Sequence, residues 1–130
     1  MKDIPVGLKG RYECTVSFEN TAAALGSGTL PVFGTPFLCS MVEAACLESV
    51  IPYLENDEGT VGIRVEIDHL AATPIGMKVW TESELTEVDG RKLVFSVKAY
   101  DEKGLIGEAS HERFVIYSEK FMKKAESKLA

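Results

Sequence analysis

The sequence holds only two histidines and one tryptophan, and no apolar run in it approaches the about 18 uninterrupted residues that a membrane-spanning helix needs. No membrane span is expected. Cations are also short, with 14 Lys and Arg against 20 Asp and Glu for a net charge of −6. An acidic overall field disfavours polyanions, whose phosphates are neutralised by clustered Lys and Arg, so nucleic acid is not an expected partner. Two histidines without ligand spacing argue against a zinc site, and no metal is expected. Cysteines are few and odd in number: Cys14, Cys39 and Cys46. With no apolar stretch of signal-peptide length after Met1-Lys2-Asp3-Ile4-Pro5, they read as thiols of a reduced, cytoplasmic protein. The glycine-rich run Gly26-Ser27-Gly28 lacks the Gly-Lys-Ser/Thr ending of a phosphate loop and signals only backbone freedom.

What is present suffices for one compact domain over 1–130, since 45% of 130 residues are apolar. Tyr12, Cys14, Val16 and Phe18 alternate with polar residues from Arg11 to Phe18, the period of a half-buried first strand. Glu19 to Gly34 reads as a loop with one helical turn. Thr35-Pro36 then starts a helix, with Thr35 as its N-cap and Pro36 inside the first turn. Phe37, Leu38, Met41, Val42, Ala45, Cys46 and Val50 cover nearly every side of that helix, which predicts burial rather than amphipathicity. Pro52 and the acidic turn from Glu55 to Gly59 end it.

Beyond Gly59, Val61, Ile63, Val65, Ile67 and His69 share one strand face opposite Gly62, Arg64, Glu66, Asp68 and Leu70. Thr73-Pro74-Ile75-Gly76 breaks this second strand. Lys78 to Val88 forms a third, Asp89-Gly90 turns it into a fourth over Lys92 to Tyr100, and a fifth runs from Leu105 to Tyr117. A short helix follows from Ser118. The fold class is α+β: an antiparallel sheet of about five strands curled around one long helix. One sheet with one helix covers a single face well, so self-association through the other face or an edge strand is expected.

Glu43 is the most informative residue. No charged side chain occurs from Asn20 to Val42, and the first to appear stands in the middle of the apolar helix. An isolated buried carboxylate has a raised pKa unless partnered, which suits a general base or nucleophile; the plainer reading is a side chain that snorkels out or pairs with a core polar group. His69 ends an apolar strand face where the strand meets a turn, placing its ring at the rim of the core, as a satisfied core histidine or as a catalytic group. Thr35 is a helix cap first. A pairing of Cys39 with His69 as a thiol nucleophile is the weaker alternative, because buried cysteines are mostly inert. His111, between Ser110 and Glu112 in the fifth strand, reads as structural.

Three segments together resemble the hot-dog-fold acyl-CoA thioesterases of the fluoroacetyl-CoA thioesterase branch: Val32-Phe33-Gly34-Thr35, Val42-Glu43-Ala44-Ala45-Cys46 with Pro52-Tyr53-Leu54, and His69-Leu70-Ala71-Ala72-Thr73-Pro74-Ile75-Gly76. Ser110-His111-Glu112-Arg113 also matches. The resemblance implies Thr35, Glu43 and His69 as the catalytic groups, Gly62 near the thioester, and a homodimer, or a higher oligomer, with active sites at the subunit interface. It implies coenzyme A as part of the substrate and no further cofactor. Eight residues of helix separate Thr35 from Glu43, about 12 Å, so substrate, water, His69 or a partner subunit must lie between them. At the helix start, free amides of Phe37 and Leu38 are expected to face a developing oxyanion. Arg64, Lys120 or Lys123 are the cations available for the coenzyme A phosphates.

The family gates its pocket with aromatic side chains before the helix, whereas this chain has none between Glu19 and Val32. Phe33 and Phe37 are left to line the acyl site, and another short acyl or aryl-acyl group is as open as fluoroacetyl. Two further readings stand beside hydrolysis: a dimer that binds an acyl-CoA or other small ligand without turnover, and a hydratase or dehydratase of the same fold.

Overall fold

A computed structural model describes residues 1–130. Five strands form one antiparallel sheet: β1 (Lys9–Thr15), β2 (Glu58–His69), β3 (Lys78–Asp89), β4 (Lys92–Asp101) and β5 (Gly104–Tyr117), in the spatial order β1-β3-β4-β5-β2. The sheet curls around the long helix α2 (Thr35–Val50), preceded by a single turn, α1 (Ala22–Leu25), and the chain closes with α3 (Ser118–Glu126). The consecutive hairpins arise where expected. Gly90, with φ of 61°, supplies the left-handed residue of the β3–β4 turn, and Gly104, with φ of 140°, that of the β4–β5 turn.

α2 buries Leu38, Met41, Val42, Ala45, Cys46 and Val50 against the sheet, the i, i+3, i+4 spacing of one helical stripe. Phe33, Leu85, Leu93, Phe95, Val97 and Ile106 complete the core from the sheet side and the approach to the helix. The expectation of burial on every side is corrected: Cys39, Glu43, Ala44 and Leu47 form a half-exposed stripe on the helix. β1 is shorter than expected, and Phe18 lies outside it in a 3-10 turn at 60% exposure. Residues 17–20 are claimed by a local capping box, in which Asn20 and Ser17 bond reciprocally, and this ends the strand.

The largest departure is in β2. Gly62 pairs with Arg113 but Arg64 pairs with Glu112, so Ile63 is an inserted bulge residue. A bulge shifts the phase of alternation. Thr60 and Gly62, not Val61 and Ile63, therefore share a face with Val65, Ile67 and His69, because residues directly opposite in an antiparallel pair point the same way and Arg113, His111 and Ala109 lie on that inner face. Ile63 is left 52% exposed.

Candidate active site

The approach to α2 is tied down on both sides. Thr21 bridges Phe33, Val32 bridges Pro74, and the amide of Phe33 donates to the carbonyl of Thr73 at 2.9 Å. This sets Phe33 in the core, 1% exposed, with its ring edge-on to His69 at a centroid distance of 6.1 Å. Phe37 packs edge-on behind Phe33, also at 6.1 Å, and does not reach the cavity wall.

The helix cap differs from expectation. Gly34 is the N-cap, and its carbonyl accepts from both Phe37 and Leu38, at 3.1 and 3.0 Å. Neither amide is free for an oxyanion. Pro36 has no N–H, so Thr35 carries the one amide of this first turn that donates to nothing in the chain. Released from capping, the Thr35 hydroxyl lies 2.8 Å from Nδ1 of His69. Nε2 of His69 is enclosed and has no partner. Burial pushes the His69 imidazole below its ordinary pKa of 6.5, against a smaller opposing pull from the backbone at Ala71, so the ring is neutral near pH 7. Thr35, His69, Phe33, Val32, Ala22 and Ser27 border a cavity of about 330 Å³ that opens to solvent.

Glu43 is elsewhere. Its side chain is 43% exposed rather than sunk in the core, and Oε2 lies 3.4 Å from Nη1 of Arg113, itself 6% exposed. The carboxylate sits on the backbone of Gly62 so closely that a Cβ there would stand 2.5 Å from Oε2. Arg113 also donates from Nε to Oγ1 of Thr60 at 2.9 Å, from Nη2 to the Thr60 carbonyl at 3.0 Å, and from Nη1 to Nε2 of His111 at 3.1 Å. Gly62 and His69 lie seven residues apart on one strand face, roughly 20 Å at about 3.3 Å per residue. Within one chain, Thr35 with His69 and Glu43 with Gly62 are two separate clusters. Arg64 is exposed and occupied by Glu66 at 3.0 Å and Glu112 at 3.9 Å. Lys123 pairs with Glu119, and Lys120 borders a separate surface hollow with Arg91 and Phe121.

Residues 16–119 match the family model described as fluoroacetyl-CoA-specific thioesterase. The chain belongs to this family. It is 43% identical over 97 residues, 75% of this chain and 70% of the other, to fluoroacetyl-CoA thioesterase from Streptantibioticus cattleyicolor. A variant of the fluoroacetyl-CoA-specific thioesterase in complex with fluoroacetate and CoA superposes with a TM-score of 0.86 at 36% identity, covering 91% of this chain and 99% of that one. A thioesterase superfamily member from Thermus thermophilus superposes with a TM-score of 0.90 at 28% identity, over 99% and 98% of the two chains.

In this hot-dog thioesterase the sequence brought out Thr35, Glu43 and His69, but not the groups that hold Glu43. Arg113 lies 70 residues from Glu43 along the chain, so no local spacing links them. The available signal was the Gly62 position, a strand residue without a side chain opposite a buried cation. The thiols are poor nucleophiles. Burial, reinforced by Glu43, raises the Cys39 pKa, and burial takes Cys46 up to about 12.

Proposed function

We propose that the protein hydrolyses a small acyl-CoA thioester at a site built from Thr35 and His69 of one protomer and Glu43 and Gly62 of a second. The observation that carries this reading is the Thr35–His69 contact at a cavity mouth, with Nε2 of the imidazole unpartnered. A buried polar atom left without a partner is costly, and a ligand atom removes that cost. β2 is an edge strand, with Ile63 exposed on it and Leu70 just past its end, so two copies can add edge to edge. A two-fold pairing centred between Val65 and Glu66 sets each Gly62 opposite the partner chain's copy of residue 69, because isologous contacts exchange i and j. The half-exposed α2 stripe of Cys39, Glu43 and Leu47 supports the same contact.

The chemistry follows from the groups assembled. The thioester carbonyl enters the cavity beside Thr35, whose free amide and whose hydroxyl are donors, and the neutral His69 presents Nε2. Glu43 takes a proton from water; the resulting hydroxide adds to the carbonyl carbon, and collapse of the tetrahedral species breaks the C–S bond, the Glu43 proton passing to the departing thiolate to release coenzyme A. Direct attack by Glu43 to give a mixed anhydride is the alternative route. Small side chains at Ala22, Ser27, Ala71 and Ala72 leave the acyl pocket without an aromatic gate from the preceding loop, which favours short acyl or aryl-acyl groups over a fluorine-specific fit. The three free cysteines support work in a reduced compartment.

Release of free thiol from acyl-CoAs of graded length tests the reading. His69→Ala and Glu43→Gln should remain folded and lose turnover. Wild-type rates in both variants would overturn the roles, and thermal stabilisation by coenzyme A analogues without thiol release would favour a binding module instead.

A further inference from the structure

His111 is fully buried, at 0% exposure, and no step above uses it. Its Nδ1 lies 2.8 Å from the carbonyl oxygen of Arg64, which can only accept, so Nδ1 carries the proton. Burial, with Arg113 acting in the same direction, pushes the imidazole pKa below 6.5 and keeps the ring neutral. A neutral ring protonated at Nδ1 has a lone pair on Nε2, and that lone pair accepts from Nη1 of Arg113 at 3.1 Å. A structural role alone is an expensive account of this arrangement. A guanidinium at 5% exposure costs free energy to desolvate, and apolar residues of like volume hold strands together at least as well.

We propose that His111 and Arg113 are positioning residues for the thioesterase reaction: the buried imidazole fixes the guanidinium, which aims Oε2 of Glu43 and leaves Oε1 free for the reacting water. This rests on the reading of Glu43 as the base. Four of the five N–H groups of Arg113 are engaged, two on Thr60, one on His111 and one on Glu43, so the fork cannot swing without breaking three bonds to the β2–β5 pair. Nη1 is the hinge of the device. One of its hydrogens goes to His111, and the remaining one points toward the carboxylate. The bulge at Ile63 belongs to it as well, because the carbonyl oxygen of Arg64, which accepts from Nδ1–H of His111, comes immediately after the phase shift that brings Gly62 under Glu43.

Steady-state hydrolysis of an acyl-CoA by His111→Phe and His111→Gln tests the inference. Phenylalanine keeps a ring in the core but offers no acceptor, whereas the glutamine amide oxygen can accept from Arg113. Expected are a kcat about ten- to a hundred-fold lower in His111→Phe with KM unchanged, and recovery of most of it in His111→Gln. Glu43→Gln added to His111→Phe should cost less than it does alone, because both act on one carboxylate. Should His111→Phe not fold, Arg113→Lys carries the test: it keeps the charge, loses the fork, and should show the same fall in kcat at constant KM. Wild-type kcat in His111→Phe or Arg113→Lys, with Glu43→Gln inactive, overturns the positioning role while leaving Glu43 as base. Wild-type kcat in Glu43→Gln removes the base itself and the inference with it.

Discussion

Oε2 of Glu43 on α2 lies 3.4 Å from Nη1 of Arg113 on β5, and the pair rests directly on the backbone of Gly62 in β2. Three elements distant in sequence thus meet at one carboxylate. A buried cation faces it on one side, while nearly half of the side chain faces solvent on the other.

Gly62→Ala should therefore be a functional lesion in a folded protein. The new methyl would stand 2.5 Å from Oε2, 3.1 Å from Cε1 of His111 and 3.3 Å from Nη1 of Arg113, and the exposed carboxylate is the group free to move. A displacement of about 1 Å from productive geometry costs on the order of 100-fold in rate. Turnover should fall by about that factor with the melting temperature nearly unchanged; a variant as active as wild type would show that the Glu43 position is not critical.

Thr35 and His69 should separate by chemistry. On the proposed mechanism His69→Ala removes the imidazole that faces the thioester and is expected to lower kcat by about 10² to 10³-fold. Thr35→Ser keeps the hydroxyl that meets Nδ1 at 2.8 Å and should retain far more activity than Thr35→Ala. Equal losses in both Thr35 variants would point to the threonine methyl rather than its oxygen.

Both histidines have folded pKa values below the unfolded value of about 6.5. Below that pH the unfolded chain binds more protons than the folded one, so stability rises with pH there and falls as pH drops. Melting temperature should decline as pH drops through about 6.5, until the folded-state values are passed. Replacing His111 by Gln should flatten that decline, and an unchanged slope would assign it to other groups.

Edge pairing has its own readout. On the proposed pairing of two copies, Ile63→Asp places charge on the exposed β2 edge and should give a monomer in light scattering where the unsubstituted chain gives a dimer, with acyl-CoA hydrolysis lost in parallel. A fully active monomer would mean that each chain carries a complete site.

Phe95, 1% exposed and stacked on His111 at 6.3 Å, supports both the core and the Glu43 cluster. Phe95→Ala is expected to cost about 3–5 kcal/mol in denaturant unfolding. A cost under about 1 kcal/mol would mean that the site collapses around the loss.

Much of this was legible in the sequence, where a signal was local. The two glycine turns, the long helix and the position of His69 at a strand end follow from periods of two and 3.6 and from turn chemistry. Thr35 was misplaced by one residue, because threonine and glycine are about equally good caps and proline's preference for the first helical position favours the threonine, whereas Pro36 takes the second position and Gly34 the cap. The inner face of β2 was misread for a different reason. Val61 and Ile63 continue the apolar alternation, and only the register against β5 reveals the inserted residue. The segment with His111 and Arg113 was part of the resemblance, but its link to Glu43 was out of reach, because a pairing across 70 residues leaves no trace in local periodicity.

That inserted residue also makes the inner face of β2 sensitive to a single codon. Deleting Ile63 would restore perfect alternation and, by the same stroke, turn Thr60 and Gly62 to the outer surface of the sheet, leaving Arg113 without its oxygen partners and Glu43 without its floor. A strand that looked more regular would carry half of the proposed site on the wrong side.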